Sequence, residues 1–225
     1  MTYKKRLTIL SWNVFGLGKK LKDKEFTGII EKHDMVCLME TWSSVQTNVR
    51  IKGFEHIHRI RHKRRKKGRR SGGLVLYFKK WLKPGIKELA KTHEDLLWVK
   101  LDAHFFGFER DVYFCIVYIK PNATRSPNSA LLQLEKDIAR FSKFGNIVLV
   151  GDFNARTGQL DDFIKDDTVD DYVHTGSDYS VDLPLYNMIR QNKDTKVNSQ
   201  GKALIELCKI SGLRIMNGRT VGYFW

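Results

Sequence analysis

Cysteine is scarce in this chain and nowhere clustered. Cys37, Cys115 and Cys208 are the only three in 225 residues, and each sits inside an apolar stretch (VCLM, YFCIV, ELCKI). With no Cys-x-x-Cys or Cys/His spacing, they read neither as a disulfide framework nor as zinc ligands. They read as small core residues in a reducing compartment. Long apolar runs are missing too, so no stretch reaches transmembrane length. The apolar part of the N-terminal MTYKKRLTILSWN is too short and too polar for a signal peptide. A cytosolic or nuclear protein is expected. Internal repeats and low-complexity linkers are absent, apart from one basic run. Acidic residues are in short supply: 40 Lys+Arg face 25 Asp+Glu, a formal charge of +15. A surplus of that size points to a polyanionic partner, nucleic acid before an anionic membrane.

What is present suits one folded domain. A chain of 225 residues, 42% hydrophobic, buries enough apolar surface to need no disulfide staples. Leu7–Asn13, Met35–Leu38, Leu74–Phe78, Leu97–Leu101, Val112–Ile119, Ile147–Val150 and Leu213–Met216 read as strands. Asp23–Lys32 reads as a short helix with Phe26, Ile29 and Ile30 on one face. Asn128–Phe144 is a stronger helix, with Leu131, Leu134, Ile138 and Phe141 at three- and four-residue spacing and Asn128 or Ser129 as cap. Ser199–Ser211 is a third, with Leu204, Leu207 and Cys208 inward and Gly212 as its stop. The acidic, polar stretch Asp161–Asp182 reads as a long surface loop. Mixed strands and helices indicate one α/β or α+β domain with layered packing.

Polar side chains stand just beyond three of the apolar runs. The first ends in Asn13, the second runs into Glu40, and Ile147–Val150 delivers Asp152 and Asn154. Strand ends can hold side chains in fixed geometry, and sites in open α/β sheets gather at the carboxyl ends of strands. Carboxylates and carboxamides there suit a hard, oxygen-loving cation such as Mg²⁺. Taken alone, Tyr118 reads as a buried strand tyrosine with its hydroxyl satisfied, and Asn154 as an Asx-turn residue.

The segments SWNVFGL, LMETW, VYIKP and GDFNA, in that order, resemble the endonuclease/exonuclease/phosphatase superfamily. Within it they are similar to the apurinic-endonuclease-like domain of non-LTR (LINE-type) retrotransposons, as is GKALIELCKISGLRIMNGR. SGG before an apolar strand adds weaker support. The resemblance runs from about Leu7 to Arg219. It implies an α+β fold, the four-layer α/β/β/α sandwich of DNase I-like proteins, as a single domain over 1–225. It also implies a Mg²⁺-dependent (or Mn²⁺-dependent) endonuclease acting on double-stranded DNA. By that resemblance Asn13 lies near the metal and the scissile phosphate, and Glu40 ligates the metal. Tyr118 touches the attacked phosphate, Asp152 orients or deprotonates the attacking water, and Asn154 hydrogen-bonds the phosphate. The implied role is to nick target DNA, so that the freed 3′-hydroxyl primes a reverse transcriptase domain. A nuclear location goes with it. An abasic-site repair endonuclease and a catalytically inactive DNA-binding remnant are the alternatives.

The family continues into an Asp step and a Ser-Asp-His motif, which the sequence lacks before it stops at Tyr223-Phe224-Trp225. The expectation is therefore a C-terminally incomplete domain, missing its last strands, with little or no nuclease activity as it stands. The basic run Arg59, Arg61, Lys63, Arg64, Arg65, Lys66, Lys67, Arg69, Arg70 is expected in a loop beside the DNA. A solvated loop or a nuclear-import signal is the other reading.

Overall fold

The first apolar run becomes strand β1 (Ile9–Asn13), and the amphipathic segment after it becomes helix α1 (Lys24–Glu31). The second run becomes β2 (Met35–Met39), parallel to β1 with Ser11 opposite Cys37. Parallel neighbours need a crossover, and α1 supplies it. Its start is fixed by the Asp23 carboxylate, which accepts the Glu25 N–H at 2.9 Å as an N-cap does. Phe26 and Ile30 are buried, and Ile29 is partly so. The computed structural model describes residues 6–61, 71–121, 129–164 and 190–219. Asn128 lies outside them, as does most of the acidic stretch 161–182. Two units are distinguished, Met1–Phe153 and Asn154–Trp225.

In the first unit β3 (Phe54–Arg59) and β4 (Leu74–Lys79) complete one sheet, in the order β1-β2-β4-β3. The second sheet has the order β5-β6-β7-β8. It is made of β5 (Ile86–Glu88), β6 (Leu96–Leu101), β7 (Val112–Tyr118) and β8 (Asn146–Asp152). The short helix α2 (Ala103–Phe106) lies between β6 and β7. Helix α3 (Ala130–Phe141), capped by Ser129, links β7 to β8, which pair in parallel with Tyr118 opposite Asp152. Each sheet thus carries one parallel pair joined by one helix.

Alternation along the strands builds the layers. Met35, Cys37 and Met39 of β2 and Leu74, Leu76 and Phe78 of β4 meet Leu97, Val99, Phe114 and Ile116 of the other sheet in one apolar cluster. Val36, Leu38, Val75 and Tyr77 point the opposite way, into a cluster with Phe26 and Ile30 of α1. On the outer face of the second sheet, Trp98 and Tyr113 pack on Phe141 of α3. The result is the expected α/β/β/α sandwich. All three cysteines are buried and free, and burial raises each thiol far above its ordinary range.

The second unit holds α4 (Ser199–Ser211), which starts at the Asn198 cap and ends, as expected, at Gly212 in left-handed conformation; Leu207 and Cys208 are buried as expected, but with Ile205 in place of the half-buried Leu204. Three sequence expectations are corrected. Strand β3 is absent from the strands expected from the sequence, because it is an edge strand of mostly half-buried residues. Leu213–Met216 is not a strand; the Ile215 N–H is taken by the Asp162 carboxylate at 2.7 Å. Asp162 is not on a surface loop but fully buried, ion-paired with Arg219 at 2.6 Å.

Candidate active site

The two parallel pairs end side by side in space. Asn13 closes β1, Glu40 follows β2, Tyr118 closes β7 and Asp152 closes β8. The Asn13 amide nitrogen donates to Asp152 Oδ2 at 2.8 Å and to Glu40 Oε1 at 3.1 Å. The Tyr118 hydroxyl donates to the same Glu40 Oε1 at 2.8 Å. Four of the five residues singled out from the sequence therefore form one hydrogen-bonded group across two sheets. Asn154, the fifth, opens the second unit, where its carbonyl accepts from Asn198 Nδ2 at 2.9 Å.

The backbone around these residues is unusual. Phe15, Glu40, Trp42 and Asn154 are the non-glycine residues with positive φ among those described, between 48° and 53°. Such conformations cost of order 1–3 kcal/mol each and collect at functional sites. Neighbouring segments hold them in place. Val14, Gly16 and Leu17 donate their N–H groups to the carbonyls of Met39, Glu40 and Thr41 at 2.8–3.0 Å. From the other side, Thr41 and Trp42 donate to the carbonyls of Gly73 and Gly72. Gly73 must be glycine: its φ is +90°, and a Cβ would stand 2.6 Å from Thr41 Oγ1. Gly151 is equally constrained, since a Cβ there would collide with the Val117 carbonyl across the β7–β8 pair. The glycines of SGG and GDFNA are thus what lets Glu40 and Asp152 reach their places.

Two carboxylate oxygens lie within 3.1 Å of one amide nitrogen, and the Tyr118 hydroxyl donates to one of them. Burial, then the hydrogen bond to Glu40 and its charge, push the Tyr118 phenol well above its ordinary range. It stays protonated and remains a donor. Two carboxylates this close suit a hard divalent cation, which binds through one or two carboxylates and keeps waters. The donor set therefore fits Mg²⁺ or Mn²⁺. Among the described residues no group of three or more His, Cys, Asp and Glu gathers into a cage. The Asn13 amide oxygen accepts the Phe15 N–H at 3.3 Å, so Asn13 serves here as the spacer between the carboxylates.

Three described histidines have their hydrogen-bond partners outside this group. His58 bonds Ser43 Oγ at 2.6 Å, His33 the Ile29 carbonyl, and His93 accepts the Asp95 N–H. Burial holds His56 and His58 below their ordinary values. The basic run needs a correction. Arg59 ends β3 and pairs with Glu88 at 2.7 Å, and Arg61 is buried against Asp95 and Glu94. Neither is a loop cation facing solvent. Lys63, Arg64, Arg65, Lys66, Lys67, Arg69 and Arg70 lie outside the described residues. Sequence reading missed the inward turn of Arg61 and the strained backbone at Phe15 and Trp42. The glycines at 72, 73 and 151 were the available signals.

The profile of the Endonuclease/Exonuclease/phosphatase family matches residues 10–168. Among solved structures, the chain is similar to the AP endonuclease LMAP from Leishmania major. Identity is 18%, over 67% of this chain and 56% of that one, with a TM-score of 0.51. It is similar to the 3′ phosphatase NExo from Neisseria, bound to a product DNA hairpin, at 14% identity over 72% and 62%, TM-score 0.46. The catalytic domain of Xenopus laevis APE2 matches at 14% over 68% and 59%, TM-score 0.47. At 18% identity, the likeness to LMAP speaks to the fold alone. The chain spans between 56% and 62% of the length of these three. No curated protein matches it. No helix among the described residues is long and apolar enough to cross a membrane.

Proposed function

The chain belongs to the endonuclease/exonuclease/phosphatase family, and from that premise we propose that it is a divalent-metal-dependent endonuclease domain that nicks double-stranded DNA. The observation that carries this reading is the group in which Asn13 bridges Asp152 and Glu40 while Tyr118 donates to Glu40. Glu40 would hold the cation, with Asp152 across from it, and Asn13 could join only by turning its amide oxygen away from Phe15. When bound, the cation supplies positive charge to the phosphoryl oxygens. Asp152, oriented by the Asn13 amide, takes the proton of the attacking water. Tyr118, kept protonated by its surroundings, would release Glu40 to donate its one hydroxyl proton to a phosphoryl oxygen.

The surplus of +15 favours a nucleic-acid substrate. Lys63 to Lys67, with Arg69 and Arg70, would add phosphate contacts. The finer reading, supported by LMETW, GDFNA and LRIMNGR, is a LINE-type retrotransposon nuclease whose nick primes a reverse transcriptase domain in the nucleus.

Supercoiled plasmid provides the test. With Mg²⁺ or Mn²⁺ the expected outcome is slow nicking, which Asp152→Ala lowers by roughly 10²–10⁴-fold. Identical behaviour of the two proteins would overturn the nuclease reading in favour of a DNA-binding remnant. A marked preference for abasic over intact duplex would move the assignment to a repair enzyme.

A further inference from the structure

We propose that Arg61 is a positioning residue for this site: its buried guanidinium, anchored by Asp95 and Glu94, packs on the Tyr118 ring and fixes the phenol hydroxyl against Glu40. The proposal rests on reading Glu40 and Tyr118 as site residues. In the sequence Arg61 stands at the head of a run of cations, where composition puts it in solvent. Yet the residue is 6% exposed. Removing a guanidinium from water is costly unless it is paired. Its partners are the Asp95 carboxylate, in direct ion pair, and Glu94 Oε1 at 3.4 Å.

Three features tie this pair to the site. The Arg61 Cζ lies 5.5 Å from the centroid of the Tyr118 ring. The Asp95 carbonyl accepts the Tyr118 N–H at 3.0 Å, so Asp95 holds the tyrosine backbone through its own backbone and the arginine through its side chain. Gly72 leaves the room: a Cβ there would lie 2.6 Å from Arg61 Nη1. The same Gly72 carbonyl accepts the Trp42 N–H, two residues past Glu40. Arg61 therefore touches the supports of both ends of the Tyr118–Glu40 hydrogen bond. Well-packed apolar side chains would serve stability as well as a buried ion pair or better. What a planar cation over a phenol adds is a fixed ring and a more polarised hydroxyl.

Tyrosine labelled with ¹³C at Cζ reads the phenol directly, and Tyr118→Phe identifies its resonance. Arg61→Met is expected to move that resonance toward the value of free tyrosine, and Arg61→Lys to move it less. On plasmid, Arg61→Met is expected to lower kcat roughly tenfold, with KM and its salt dependence unchanged. It should cause no further loss when Tyr118 is already Phe. Should Arg61→Met fold poorly, Asp95→Asn keeps the shape and is expected to shift the resonance in the same direction. An unmoved Tyr118 resonance in folded variants would overturn the proposal. So would a raised KM with a shallower salt slope at constant kcat, which marks a DNA contact. If the unaltered protein does not nick DNA at all, the nuclease reading fails, while the resonance still decides the role of Arg61.

Discussion

The two units are each stabilised internally, by different means. In the first, Met35, Cys37, Leu74, Leu76, Leu97, Val99 and Phe114 fill the space between the sheets with apolar atoms. In the second, polar groups do much of that work. Arg190 donates to Thr157 Oγ1 at 2.6 Å and to the carbonyls of Gly158 and Leu160. Asp162 accepts from both terminal nitrogens of Arg219 and from the Ile215 N–H. Ile205, Leu207 and Cys208 of α4 supply the buried apolar share. An apolar core depends on volume and tolerates exchange. A buried polar network depends on every partner being present, because a group left alone keeps its desolvation penalty.

Asp162→Ala is expected to have the largest effect, about 3–5 kcal/mol, because it removes the carboxylate that both terminal nitrogens of the buried Arg219 side chain bond. Hydrogen exchange on the α4 amides measures it, and unchanged protection there would break the contrast between the units. Leu76→Ala comes next, at about 2–5 kcal/mol, while Leu76→Met is expected to cost less than about 1.5 kcal/mol. Denaturant unfolding separates the two, and equal losses would show that shape rather than volume governs the sandwich. Acidification gives the smallest and most graded effect. Burial raises the Asp162 carboxyl, but the bonds from Arg219 and Ile215 outweigh it and hold the group below its ordinary value. Its contribution is complete above the unfolded carboxylate pKa, about 3.9, and fades as pH falls through the depressed folded value. Protection of α4 should decline over that window. A decline beginning near neutral pH would point to another group.

This difference also explains what could be read from the sequence. The central strands β2, β4, β6 and β7 are buried on both faces and spell themselves out as runs such as MVCLM and LVLYF, so periodicity and length suffice. The site residues were legible because they follow those runs directly. Arg61, Asp162 and Asp137 were not. Asp137 sits on α3 yet is buried, accepting from Trp98 Nε1 at 2.9 Å and from Thr92 and Gln133. A charged letter in a sequence reads as surface, and only the arrival of distant partners reverses that. The edge strand β3 escaped for a related reason, since its half-buried residues include two histidines, a glutamate and an arginine.

The hydrogen bond between Asn13 and Asp152 joins residues 139 apart in the chain. At a synthesis rate of roughly 5–20 residues per second, Asn13 waits roughly 7–28 seconds for its partner to be made. During that time β1 and β2 can already pair, because Asn13 and Glu40 are 27 residues apart. A nascent chain therefore carries half of its carboxylate pair early and acquires the other half only when β8 docks beside β7. Among the described strands β8 is the last to be made, and its docking completes the hydrogen-bonded group of Asn13, Glu40, Tyr118 and Asp152.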